Sequence, residues 1–188
     1  MKKSYVIAIS GISGSGKTFV SENLQKSLIN AKIIKFDNYP VDFLKQDYCE
    51  WSEKGADYNA WHLEPIISDL EKLIHEQWDY IILDYPFGYG NTAVGNYIDY
   101  VVFIDVPLDI ALARRVIRNY TRRDPSRRPI ENKIEDLDNT LTFYLERHRK
   151  TYLRHIETVK PYADLMIDGE LNVEQIIEEI LENINKGI

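Results

Sequence analysis

A three-layer α/β/α sandwich around a five-stranded parallel sheet is the fold class this sequence predicts. Three observations carry that expectation. Five short apolar runs are spaced along the chain, and such continuous runs suit strands buried on both faces. Between them lie stretches of helical periodicity, an alternation that gives parallel strands joined by crossover helices. A glycine-rich turn, Gly11 to Thr18, follows the first run directly.

Tyr5-Val6-Ile7-Ala8-Ile9 is the first predicted strand. Phe19, Val20, Leu24, Leu28 and Ile29 then repeat at helical spacing. Ile33-Ile34-Lys35-Phe36 is the second strand, ending at Asp37. Residues 38–62 have no clear period and hold Tyr39, Phe43, Tyr48, Trp51, Tyr58 and Trp61, so they are expected as a loop. Pro65 suits a first helical turn, and Ile66, Leu70, Leu73 and Ile74 continue it. Tyr80 to Leu83 is the third strand, ending at Asp84, and Val101 to Ile104 the fourth, ending at Asp105. Asp105 is expected to cap the helix that Pro107 opens. A long helix from about Ile134 to Val159 puts Leu137, Leu141, Leu145 and Tyr152 on one side. Leu165-Met166-Ile167 is the fifth strand, and Ile176, Ile177, Ile180, Leu181 and Ile184 form the stripe of a closing helix. One domain over residues 1–188 is expected, without repeats or linkers.

Composition excludes several classes. Hydrophobic residues make up 44% of the chain and charged residues 28%, as in a soluble globular protein. A net charge of −7 argues against a nucleic-acid binder. Cys49 is the only cysteine, so no intrachain disulfide forms, which suits a reducing compartment. The apolar start is too short for a signal peptide, and no run is long enough to span a bilayer. The expectation is a cytoplasmic protein with no membrane partner, and a homo-oligomer is compatible with all of this.

Gly11, Gly16, Lys17 and Thr18 satisfy G-x-x-x-x-G-K-[ST] in full. Such a loop wraps a polyphosphate with backbone N–H groups, which needs small residues at Gly11, Ser13, Gly14, Ser15 and Gly16. The helix that follows aims its positive end at the anion. Lys17 reaches the terminal phosphates, and the Thr18 hydroxyl ligates Mg²⁺. A dinucleotide fingerprint is the nearest rival, with Asp37 as its ribose acid, but Lys17-Thr18-Phe19 leaves no third glycine.

Ligands of such sheets bind beyond the carboxyl ends of the strands, where Asp37 and Asp84 lie. Both are expected on strands neighbouring the first. Asp37 is assigned to orienting and deprotonating an acceptor hydroxyl, and Asp84, with Thr18, to the metal. Seven arginines, Arg114, Arg115, Arg118, Arg122, Arg123, Arg127 and Arg128, cluster around a single acid, Asp124. A lid over about 114–130 would turn them toward phosphate, and Arg115, Arg118 and Arg122 share a helical face at i, i+3, i+7. Arg115 and Arg118 are assigned to catalysis and Arg122 to the nucleotide. Tyr39 and His62 are the expected acceptor contacts.

These residues resemble the uridine kinase branch of P-loop kinases, which includes phosphoribulokinase-like and pantothenate kinase-like enzymes. The likeness runs over nearly the whole length. It rests on Gly11 to Thr18, on Asp37-Asn38-Tyr39, on Asp105-Val106-Pro107 leading into Arg114-Arg115-Val116-Ile117-Arg118, and on Lys160 to Gly169. It implies a P-loop NTPase fold, an ATP donor, Mg²⁺, a base at Asp37 and an arginine lid. Two segments depart from the family: Asp84-Tyr85-Pro86 stands where Glu-Gly is usual, and 40–62 has no clear counterpart of its uridine-contacting segment. The expected activity is phosphoryl transfer from ATP to a hydroxyl of a small metabolite, a nucleoside such as uridine first. The alternatives are a nucleoside monophosphate kinase, for which 38–62 offers only Lys45 and Lys54, and a nucleotide-dependent switch or RNA-associated ATP-binding protein.

Overall fold

The computed structural model describes residues 4–39, 47–121 and 133–187. Its five strands are β1 (Tyr5–Ser10), β2 (Ala31–Lys35), β3 (Tyr80–Asp84), β4 (Tyr100–Asp105) and β5 (Leu165–Asp168). They form one parallel sheet in the order β2-β3-β1-β4-β5. The five strands follow the five apolar runs. One expectation is corrected by the order: β2 does not touch β1, because β3 lies between them.

Helices cover both faces: α1 (Lys17–Ser27), α2 (Tyr48–Glu53), α3 (Glu64–His75), α4 (Thr92–Gly95), α5 (Leu108–Val116), α6 (Lys133–Phe143), α7 (Arg149–Val159) and α8 (Val173–Gly187). The pleat of β1 divides the core in two. Val6 and Ala8 face a cluster with Ile34, Leu70, Trp51, Tyr58 and Phe87. Ile7 and Ile9 face another with Leu24, Ile104, Ile176, Ile180 and Ile184. Pro65 lies in the first turn of α3, and the α8 stripe is buried at Ile176, Ile177, Ile180 and Ile184 and half-buried at Leu181.

Sequence periodicity failed where the helix itself changes pitch. Ile117–Thr121 and Tyr144–His148 are π-helical turns, and the second joins α6 to α7. A π turn holds more residues than an α turn, so the buried face slips. Tyr144 is buried and Leu145 is 69% exposed, the reverse of the expected stripe. The aromatic stretch before α3 is also more ordered than a loop, since Asp47 caps α2 by accepting from the Cys49 and Glu50 amides. Asp105 caps nothing: α5 starts after Pro107 without a side-chain cap, and Asp105 pairs with Lys160 at 2.6 Å.

Candidate active site

A cavity of about 900 Å³ opens at the carboxyl ends of β1 and β3. The loop Gly11–Gly16 forms one side of it. Gly16 caps α1 in the left-handed conformation (φ 102°), with no side chain bonding the helix end and no acid in the first turn. The first N–H groups of α1 therefore lack a side-chain acceptor, which is how a polyphosphate cradle is made. Gly14 has a different constraint. Its φ is +94°, and a Cβ there would lie 2.2 Å from the Ala111 carbonyl oxygen of α5. Gly14→Ala is expected to cost at least about 2 kcal/mol by strain plus overlap, read by denaturant unfolding.

Lys17 Nζ donates to the Ile12 carbonyl at 3.0 Å, holding the ammonium over the loop. Burial pulls its pKa down, against the pull of Asp84 and Asp37. The Thr18 hydroxyl donates to Asp84 Oδ2 at 2.6 Å. Asp84 is 5% exposed; burial pushes its pKa up, and the Thr18 bond and Lys17 charge only moderate this. A hydroxyl and a buried carboxylate side by side at the phosphate cradle are hard oxygen donors of the kind Mg²⁺ takes. Asp37 lies in a 3₁₀ turn, Phe36–Asn38, just past β2, and lines the same cavity. The sheet thus gathers both carboxylates although β2 is an edge strand.

Of the expected arginines, Arg118 lines the cavity. Arg115 is not among its lining residues and donates to the hydroxyl of Tyr152, which is. Arg114, with no separate role assigned above, lines the cavity and donates to the Ser15 carbonyl at 3.4 Å and to the Gly169 carbonyl at 3.0 Å. Arg114 and Arg118, one helical turn apart, thus line the cavity together. Arg122 and the rest of the cluster to Arg128 lie outside the described residues.

Tyr39 and His62 are not brought to the cavity. The Tyr39 hydroxyl donates to Asp69 at 2.6 Å beside a separate cavity of about 400 Å³. His62 is exposed, 4.0 Å from Glu64. The wall opposite the glycine loop is instead Phe36, Tyr48, Trp61, Phe87, Tyr152 and His155. Trp61 and Phe87 pack with ring centroids 4.8 Å apart, Phe36 and Phe87 at 5.4 Å. The aromatic stretch was visible in the sequence. The contribution of α7 was missed, although His148, Tyr152 and His155 repeat at i, i+4, i+7 where apolar residues are usual.

His155 is neutral: burial first, then the Lys17 charge, lowers its pKa to about 3. An unfolded histidine takes up a proton below about pH 6.5, while the folded one resists until about pH 3. Its stabilising contribution is therefore full above that unfolded value and is lost as pH falls. Relative to His155→Gln, the wild type is expected to lose about 1.4 kcal/mol per pH unit between pH 6 and 4. Urea unfolding across that range measures it.

A uridine kinase of Borrelia duttonii (strain Ly) is 30% identical over 186 residues, covering 86% of this chain and 85% of the relative. The chain belongs to the uridine kinase family. A uridine kinase of Lactococcus lactis subsp. cremoris (strain MG1363) is 26% identical over 193 residues, covering 89% of each. Among solved structures, a deoxyadenosine kinase from M. mycoides with bound dATP superposes with a TM-score of 0.57 at 20% identity, covering 96% of this chain and 99% of that one. A shikimate kinase from Aquifex aeolicus gives 0.52 at 21%, covering 97% of each. These structural likenesses show the P-loop kinase fold. No protein-family model matches the chain. This member of the uridine kinase family is thus a phosphotransferase with a hydroxyl acceptor, and no helix among its described residues is long and apolar enough to cross a membrane.

Proposed function

We propose that the chain, acting as one kinase domain, transfers the γ-phosphoryl group of ATP to a hydroxyl of an uncharged nucleoside, with uridine first. One observation carries this reading. A single cavity joins the phosphate cradle to a wall of aromatic rings, and among the described residues its cationic side chains are Lys17, Arg114 and Arg118. Arg114 bonds the cradle itself and Arg118 acts on Lys17. The aromatic wall carries His148 and His155, whose pKa values burial lowers, and so offers no charge for a phosphate already on the acceptor. That favours a nucleoside over its monophosphate.

In this reading the loop amides and Lys17 hold the β and γ phosphates in place. Thr18 and Asp84 would hold Mg²⁺, which would supply positive charge to offset that of the phosphates. Asp37 aligns the acceptor hydroxyl with the γ phosphorus and takes its proton as the new O–P bond forms and the bond to the β-phosphate oxygen breaks. Arg114 and Arg118 face the charge spread over the moving group. A cytoplasmic setting suits this ATP chemistry and the free, buried Cys49. An ADP-release assay with uridine, cytidine, UMP and no acceptor tests the reading. Release dependent on the nucleosides is expected. Release with UMP alone, or equal release without acceptor, overturns it.

A further inference from the structure

The phosphoryl transfer set out above makes no use of His155, although that residue lines the cavity and is only 2% exposed. Its ring has one satisfied nitrogen. Nδ1 lies 3.1 Å from the Tyr58 hydroxyl, while Nε2 is buried with no hydrogen-bond partner. The Pro86 carbonyl lies close enough to the ring to favour its protonated form, but no partner meets Nε2 at hydrogen-bond distance and angle. An unmatched buried polar atom in a binding cavity points to a ligand group that matches it.

The hydroxyls behind the ring determine what Nε2 offers. Thr158 Oγ1 lies 2.8 Å from the Arg154 carbonyl oxygen, which can only accept, so the threonine proton goes there. The Tyr58 hydroxyl, 2.7 Å from Thr158 Oγ1, donates its own proton to that oxygen. The Tyr58 oxygen is then left to accept from His155, so Nδ1 carries the ring proton. Nε2 is a lone pair. Tyr58 is 6% exposed and is not among the cavity-lining residues, so the Nδ1 edge is turned into the core, while His155 itself lines the cavity. Burial and the neighbouring Lys17 charge keep the ring neutral.

We propose that His155 fixes the orientation of the phosphoryl acceptor, its Nε2 lone pair accepting a hydrogen bond from an uncharged O–H or N–H donor on that molecule. This rests on the nucleoside kinase reading for the presence of an acceptor in the cavity. Tyr58 and Thr158 are positioning residues that set the tautomer. A buried acceptor left unmatched discriminates against an analogue lacking the donor by roughly 10-fold to 100-fold.

Two measurements test this. Long-range ¹H–¹⁵N spectra of the histidine rings in the ligand-free protein are expected to show His155 protonated at Nδ1, with the Nε2 resonance moving on addition of uridine without ATP. Kinetics with uridine, N3-methyluridine, 2′-deoxyuridine and 3′-deoxyuridine are expected to show one analogue losing that factor in kcat/KM. The loss should vanish in His155→Phe with KM for ATP unchanged. The identity of that analogue tells a ring N–H from a sugar hydroxyl. Tyr58→Phe, which keeps the histidine, is expected to weaken both the tautomer preference and the discrimination. A proton on Nε2, or equal discrimination in wild type and His155→Phe, overturns the proposal. Uridine turnover with Nε2 unmoved sinks the role of His155 and leaves the kinase reading standing. A uridine-dependent Nε2 shift without turnover does the reverse.

Discussion

Lys17→Met is expected to lower kcat/KM by at least about 10³-fold and yet to leave the ligand-free protein no less stable than wild type. The first effect follows from placement. The ammonium is held over the glycine loop by the Ile12 carbonyl at 3.0 Å, where the terminal phosphates of ATP would gather charge in the transition state. The second follows from the cost of keeping it there. Burial lowers the Lys17 pKa, and Arg118 adds to that, against Asp84 and Asp37. A lysine with a lowered folded pKa binds its proton less tightly folded than unfolded, so its charge works against folding at neutral pH. Methionine keeps the aliphatic stem and removes that charge. Steady-state kinetics with thermal melts, with and without ATP and Mg²⁺, separate the two effects. The wild type should gain melting temperature with nucleotide, and the variant should lose most of that gain. Near-normal turnover by the variant would falsify the proposed mechanism. A large drop in the ligand-free melting temperature would make Lys17 a structural residue.

The parts of this site that could be read in the sequence are those set by local rules. Gly11 to Thr18 is one, because a strand, a turn and a helix N-terminus each leave a mark within a few residues. Pro65 and the α8 isoleucines are others, for the same reason. What could not be read depends on where elements lie relative to one another. The sequence cannot tell that β3 separates β2 from β1, and Asp37 reaches the cavity from an edge strand all the same. Which of several neighbouring arginines on one helix line the cavity is likewise a matter of placement: Arg114 and Arg118 do, while Arg115 bonds Tyr152. His155 was invisible for a different reason. Its role depends on Tyr58, 97 residues earlier in the chain, and on a cavity whose other side is built from loops.

The division of labour between the two carboxylates is the second expectation with a large effect. Asp37→Asn is expected to reduce kcat by about 10²- to 10³-fold, since an amide can hold an acceptor hydroxyl but cannot take its proton. Its affinity for ATP and its Mg²⁺ midpoint should stay near wild type. Asp84→Asn should act through the metal instead, raising the Mg²⁺ concentration for half-maximal activity by at least about 10-fold, because a neutral amide is a poor ligand for a hard dication. Asp84 carries a further signature. Its pKa is raised by burial, so the folded state favours the protonated form more than the unfolded state does. Stability from this group is present at low pH and is lost as pH rises through its folded value. At neutral pH the ionised carboxylate is a burden on the empty protein, and asparagine removes it, so the ligand-free variant should be no less stable than wild type. Mg²⁺ titrations at saturating ATP and melts of both variants read all of this. Equal Mg²⁺ midpoints would collapse the division. A metal-dependent Asp37 variant alongside a metal-insensitive Asp84 variant would exchange the two roles. The Thr18–Asp84 hydrogen bond at 2.6 Å is why the metal effect is expected at Asp84, since it holds that carboxylate beside the hydroxyl on the first turn of α1.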